Sequence, residues 1–333
     1  MVNKNTKPFN IRTDLAIECC EIVKEQKNDY SDGIEIKTEE LETLTVTDIF
    51  IKNKYASKLF HKPIGRFVTI ETDKMQINDV SCHEKIIEVF SKYLKQLIKL
   101  KKGDSVLVTG LGNWNITPDA LGPQTVSKIL VTRHLDGVLP EELGDNIKPV
   151  AAISPGVMGI TGVETAEIIK GIADRVKPSL IIAVDALAAR KSSRINTTIQ
   201  MTDTGVSPGS GVGNKRSILN EDSLGVPVIA IGVPTVIDAA TIVSDSIDRI
   251  IDEMKDYAEE NDKAFYETVS SLKNEEKYSL IKSLLEPCDE NMIVTPKDVD
   301  EVIKRLSGII ANGINIALQE SLDKEDINRF MNI

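Results

Sequence analysis

The chain has 333 residues, a formal net charge of −11, and 41% hydrophobic but only 4% aromatic residues, so its core must rest on Ile, Val, Leu and Ala. The acidic balance lacks the lysine and arginine surplus that direct nucleic-acid binding needs. No run approaches the ~18 apolar residues needed to cross a membrane.

The first residues, MVNKNTKPFNIRTD, contain no apolar stretch of the kind that makes a secretory signal. Residues 1 to 33 are polar and weakly patterned, and two β-like runs come after them at 43–51 and 65–72. Residues 84–100 carry apolar side chains at helical spacing and read as an amphipathic helix. From Ser105 the pattern is more regular. Apolar runs of strand length at 105–108, 150–154, 180–185, 226–233 and 292–294 alternate with helical segments at about 118–133, 163–176, 235–256 and 296–319. Residues 197–204 alternate like a half-exposed strand. The class is therefore α/β: a mostly parallel sheet flanked by helices, with additional β and helical excursions. Thr117-Pro118 and Thr295-Pro296 fit helix starts with proline at the first position. Thr161 with Glu164 fits a capping box, and Thr235 with Asp238 resembles one with the shorter acid. The charged segment 254–287 reads as a helical excursion.

Four cysteines (Cys19, Cys20, Cys82, Cys288) form no CxxC and no zinc-ligand spacing, so they read as reduced thiols of a cytoplasmic compartment. His61, His83 and His134 are scattered, and there is no GxSxG. Neither a metal nor another cofactor is expected.

Parallel sheets bind ligands beyond the carboxyl ends of their strands. After the run at 105–108, Gly110, Gly112 and Asn113 make a turn that leads to Asp119 in the first turn of a helix. Asp119 is either a carboxylate stabilising a helix N-terminus, worth ~0.3–1 kcal/mol, or a working acid. Asp185 ends a run expected to be buried on both faces, where a carboxylate is costly unless paired or used. Arg190 and Arg194 are candidate partners for a purely structural bridge. Two acids at one sheet edge can converge on one water and divide base and acid roles if their surroundings split their pKa values. On that reading Asp119 is the base and Asp185 the acid. Asp238 reads as a cap. Weaker candidates are the loop 209–216, with Lys215 and Arg216 facing acidic groups, and the loop 155–159, where backbone N–H groups around Gly156 could meet an oxyanion.

The stretches TGLGNWNITPDALGP (109–123), ISPGVMGITGVETAEII (153–169), VDALAAR (184–190), PGSGVGNKR (208–216) and GVPVIAIGVPTVIDAATI (225–242), extended by MIVTPKDVD (292–300), resemble the spore germination proteases of endospore-forming bacteria. The likeness covers roughly 11–318 and is strongest from 106 to 245. It implies an atypical aspartic endopeptidase that degrades small acid-soluble DNA-protecting spore proteins in the spore core. It also implies Asp119 and Asp185 as the catalytic pair, a homotetramer, and synthesis as a zymogen. The stretch RTDLAIE (12–18) looks like the family's self-processing site. Cleavage between Asp14 and Leu15 would remove a propeptide, 1–14, and leave a single domain, 15–333. The stretch also resembles the substrates' cleavage sequence. An acid before the cut bond gives Arg190, Lys215 or Arg216 a reading role.

The same glycine-turn-then-acid pattern is similar to the hydrogenase maturation proteases, so a shared fold is expected. In that family the equivalent acids and a histidine grip nickel, but this chain has no histidine in 150–240. A metal-binding maturation-type protease and a non-catalytic binding module are the alternative readings.

Overall fold

The computed structural model describes residues 13–25, 33–135, 147–209, 217–239 and 292–319, with a few further positions between 241 and 254 and at 322. Among them, nine strands form one sheet: β1 (Ile34–Glu40), β2 (Thr45–Ile51), β3 (Gly65–Glu71), β4 (Val106–Gly110), β5 (Val150–Ile153), β6 (Leu180–Ala189), β7 (Thr198–Thr202), β8 (Val228–Asp238) and β9 (Ile293–Val294). Their spatial order is β1-β2-β3-β7-β8-β6-β4-β5, with β9 on β8. β5, β4, β6 and β8 run parallel, as their continuous apolar runs predict. β7, β3, β2 and β1 continue the sheet antiparallel. The early β-like runs are thus an arm of the same sheet, which is mixed overall. The outer strand β1 ends in exposed Lys37, Thr38, Glu39 and Glu40, a charged edge that discourages further pairing.

Among the described residues the helices longer than four residues are α1 (Ala16–Glu25), α2 (Lys54–Phe60), α3 (Val80–Leu97), α4 (Leu121–Val126), α5 (Thr165–Val176) and α6 (Val299–Leu318), with single turns at Met158–Thr161 and Glu221–Leu224. On one face α3, α4 and α6 pack over Val68, Ile70, Val108, Ile182, Ile199 and Ile229 in the main core. The opposite face carries two separate blocks. α1 and α2 cover Ile49, Ile51 and Phe67 on the antiparallel arm. α5 covers Leu107, Ile181, Ala183 and Val228 on the parallel half. Between the blocks opens a cleft of about 730 Å³, floored by Leu187, Gln200, Thr202, Ala230 and Gly232.

Several boundaries differ from those the sequence predicts. β6 and β8 continue as far as Ala189 and Asp238 because they go on pairing with each other, across a register shift between Leu187 and Ala188. Thr235 and Asp238 therefore lie in a strand and make no capping box. Asp238 pairs with Ile293, and helical structure begins only at Ala239. Thr161 does not cap α5; its hydroxyl donates to the Val163 carbonyl at 2.9 Å, and Glu164 is the N-cap without a side-chain bond. Thr295 donates to the Thr235 carbonyl at 2.9 Å, and α6 starts later, after Asp298. α1 falls in the weakly patterned stretch 1–33, and β1 follows it in a stretch not read as a strand. Residues 1–12, 210–216, 255–287 and Cys288 lie outside the described residues, so the propeptide's first part, the helical excursion, Lys215 and Arg216 do too. Cys19, Cys20 and Cys82 are free thiols. Burial pushes the Cys20 thiol up to about 12.

Candidate active site

Asp119 is set by the way the chain leaves β4. Leu111 donates its N–H to the Val184 carbonyl at 2.8 Å, the last rung between β4 and β6. The chain then turns through Gly112, at φ +109°, and Asn113 N–H donates to Asp119 Oδ2 at 2.8 Å. Thr117–Asp119 form one turn of 3-10 helix rather than the start of a long α-helix, and Ile116, not Thr117, stands at its N-cap position. Three features hold this turn. A Cβ on Gly112 would lie 2.0 Å from the Asp119 carbonyl oxygen, so the two backbones touch. Gly122 sits on the β4–β6 seam, where a Cβ would come within 2.5 Å of the Val184 carbonyl oxygen. The fully buried Thr235 hydroxyl, on β8, donates to the Pro118 carbonyl at 2.7 Å.

Asp185 comes directly after Val184. It is 5% exposed, and its Oδ1 accepts from Ala186 N–H at 3.0 Å. It stands inside β6 rather than at its end, because the strand continues four residues further. The half-buried Asp119 and the buried Asp185 thus sit on adjoining elements: the 3-10 turn touches both β6 and β8. A half-buried and a buried carboxylate on neighbouring elements are the arrangement that can divide base and acid roles.

The segment 13–18 lies across the sheet near this pair. Asp14 N–H donates to the Ala188 carbonyl at 3.2 Å, and Ala188 N–H donates to Asp14 Oδ2 at 2.9 Å. The Asp14 carbonyl accepts from Lys62 Nζ at 2.8 Å and from Gln200 Nε2 at 3.2 Å. Gln200 Oε1 accepts from Ala16 N–H at 2.7 Å. Leu15 is fully buried, worth about 1.5–3 kcal/mol for such a side chain. Its N–H donates to the Thr13 hydroxyl at 3.0 Å, and that hydroxyl donates to Glu18. Glu18, also fully buried, accepts from Arg190 N–H at 2.8 Å and Lys191 N–H at 2.9 Å, with Arg194 at 3.5 Å.

Of the cationic candidates, Arg190 reaches this segment through its backbone, while Arg194 is the charged anchor. Arg194 bonds Glu21 at 2.7 and 2.9 Å and Glu71 at 2.8 Å. Burial works against both partners' charges. The mutual hydrogen bonds outweigh it, holding Arg194 above its usual range and, with Lys191, bringing Glu21 down to about 2. Gly156 lies past β5, two strands from β6, and its carbonyl accepts from Thr165 Oγ1 at 3.2 Å. Glu18 is marked in the sequence only as the end of the RTDLAIE stretch, and Lys62 and Gln200 carry no distinguishing signal. Only the buried polar position of Gln200 inside an alternating run could flag it. Among the described residues no group of three or more His, Cys, Asp and Glu side chains is placed to hold a metal ion. Nor is any described helix long and apolar enough to cross a membrane.

A family model described as germination protease matches residues 13–265 and 252–331. A germination protease of Clostridium perfringens is 49% identical over 326 residues, covering 97% of this chain and all of that one. A germination protease of Bacillus cytotoxicus is 42% identical, covering 97% of both chains. Among solved structures, a [NiFe] hydrogenase maturation protease from Thermococcus kodakarensis KOD1 is 20% identical and covers 43% of this chain and 80% of its own. Its TM-score of 0.28 is too low to carry a conclusion.

Proposed function

The chain belongs to the germination protease family and is a peptidase, and from that premise we propose an endopeptidase that cuts small acid-soluble spore proteins in the spore core, with Asp119 and Asp185 as its catalytic pair. It is made as a zymogen and cuts its own Asp14–Leu15 bond. It works as a homotetramer. Arg190, Lys215 and Arg216 are the cationic candidates for reading the acid before the cut bond.

One observation carries the reading. The sequence Asp14-Leu15-Ala16-Ile17-Glu18 has the form of the substrates, and it is docked on the sheet face from which Asp185 projects. The face is given by the register: Gln200, which grips Asp14, pairs with Gly232, and Gly232 pairs with Asp185. Paired residues share a face, and two strand spacings of ~4.8 Å put Gln200 and Asp185 about 10 Å apart. In the reaction Asp119 takes a proton from water. The water oxygen adds to the carbonyl carbon, and Asp185 supplies a proton as the carbon–nitrogen bond breaks.

The test is the mass of the products. The unsubstituted chain is expected to yield a species beginning at Leu15 and to fragment an added small acid-soluble spore protein. Asp119→Asn and Asp185→Asn should each lower both rates by at least about 100-fold. Near-full activity in both variants would sink the catalytic assignment.

A further inference from the structure

We propose that Lys62 and Gln200 form a clamp on the bond to be cut, gripping its backbone and stabilising the oxyanion that develops on the Asp14 carbonyl. The inference rests on the reading that the Asp14–Leu15 bond is a cleavage site.

A carbonyl oxygen has two lone pairs. That of Asp14 accepts from two side-chain donors, Lys62 Nζ at 2.8 Å and Gln200 Nε2 at 3.2 Å. Gln200 also receives Ala16 N–H on its Oε1 at 2.7 Å. One amide side chain therefore spans the Asp14–Leu15 bond, donating to the residue before it and accepting from the second residue after it. Gln200 is only 6% exposed, in the middle of β7, and a buried amide is costly unless its polar atoms are matched. Its partners here are backbone groups of residues 14 and 16.

The placement of Lys62 is equally local in origin. α2 ends at His61, whose left-handed backbone (φ 51°) closes the helix, and Lys62 N–H then donates to the Ser57 carbonyl at 3.2 Å. That reversal turns the lysine back towards the cleft, where Nζ also approaches the Thr13 carbonyl at 3.4 Å. Gly232 occupies the sheet position between Gln200 and Asp185. A Cβ there would lie 2.5 Å from the Leu187 side chain. The floor between clamp and acid is therefore kept low.

Each half of the clamp bonds to main-chain atoms of the segment, so it is indifferent to substrate side chains. Those are read elsewhere, by Ala188 N–H for the acid and by Arg190 N–H, Lys191 N–H and Arg194 for the downstream glutamate. The same clamp therefore serves a substrate from another molecule once residues 1–14 have been cut away and residues 15–18 have withdrawn from Gln200, Arg190 and Lys191.

Chemically, the water oxygen bonds to the Asp14 carbonyl carbon while a carboxylate takes one water proton. The carbonyl π pair moves onto its oxygen, where the ammonium and amide N–H groups hold it. On collapse the pair returns, the bond to Leu15 nitrogen breaks, and that nitrogen leaves with a proton. The products are the Asp14 carboxyl and the Leu15 amine. Donors already in place need no reorganisation as the charge appears, and loss of one such donor typically lowers kcat by about 10²–10³-fold.

The experiment tracks Asp14–Leu15 cleavage in the full chain by intact mass, and cleavage of a synthetic peptide containing Thr-Asp-Leu-Ala-Ile-Glu by kcat and KM. Lys62→Met removes the charge and keeps the stem. Gln200→Glu keeps the acceptor for Ala16 and removes the donor. Both should lower kcat by about 100-fold or more with KM within a few-fold, and Lys62→Arg should recover part of the loss. An unsubstituted chain that cuts after Asp14, with Lys62→Met and Gln200→Glu cutting equally fast, overturns the clamp alone. An unsubstituted chain that never cuts there overturns the self-processing reading and the clamp with it. Because Lys62 is only half-buried, Lys62→Met decides the matter if Gln200→Glu fails to fold.

Discussion

At the scale of single residues, the candidate site depends on positions with no side chain to contribute. Gly112 adopts φ +109°, and its α-carbon faces the Asp119 carbonyl. Gly112→Ala combines an unfavourable backbone conformation, about 1–3 kcal/mol, with a direct collision. It should destabilise the chain by at least that amount in denaturant unfolding and lower self-processing more than tenfold. Wild-type stability and rate would show that the turn has no fixed link to Asp119. Asp119 and Asp185 are conspicuous in the sequence, Asp119 at a helix start after a glycine turn and Asp185 at the end of an apolar run. Gln200 and Lys62 are not, because what joins them to residues 14–16 is sheet register and a helix end. Neither is encoded within a short window.

At the scale of elements, the β6–β8 pair matters most. Both strands look shorter in sequence than they are, because Asp185 and the Thr235–Asp238 stretch have the chemistry of strand and helix ends. Tertiary pairing overrides that local preference, as it does for strand propensity generally. The extension has a use: it brings Thr235 beneath the 3-10 turn, where its hydroxyl holds the Pro118 carbonyl at 2.7 Å. Thr235→Val leaves that carbonyl without this donor, a loss of about 1–3 kcal/mol. The expected result is a lowered kcat with KM unchanged, since the turn carries Asp119 and none of the segment's anchors. An unchanged kcat would mean that Thr235 does not position the Asp119 turn. Further along the chain, Asn315 of α6 brackets the 128–130 stretch, accepting from Leu130 N–H at 3.0 Å and donating to the Lys128 carbonyl at 3.1 Å. The apolar spacing of α6 announces a helix, but nothing announces that bracket.

For the whole molecule, the parallel half of the sheet is readable from buried apolar runs alternating with helices. The antiparallel arm is visible only as isolated β-like runs at 43–51, 65–72 and 197–204, because its partners are far apart in sequence, and the last of these, β7, is fully buried rather than half-exposed. α1, at the polar N-terminal end, bridges the arm and β6 through Glu18, Glu21 and Arg194. Its anchoring should depend on pH in a defined direction. Glu21 titrates at about 2 in the folded chain, below the ~4.3 of an unperturbed glutamate. The stabilisation is therefore present above the unfolded value and lost as pH falls from about 4.3 towards 2. Hydrogen-exchange protection of α1 amides should fall across that window, ahead of the amides in β6. A Glu21→Gln chain should begin with weaker protection and show less change. Equal protection of both chains at neutral pH would mean that Arg194 and Glu21 do not anchor α1.

The complete burial of Leu15 bears on what the proposed hydrolysis of the bond before it would leave behind. Its nitrogen is an amide hydrogen-bonded to the Thr13 hydroxyl, which in turn donates to Glu18. Cutting before Leu15 would turn that nitrogen into an ionisable amine in a place shielded from water, where burial disfavours its charged form, and departure of residues 1–14 would take Thr13 away. A new amine and a carboxylate that has lost one of its donors would then arise together. The cut end can stay by pairing with Glu18 or leave to be hydrated. In either case the intact and cleaved chains hold different charge patterns in the cleft, and rejoining the bond would require restoring the first one.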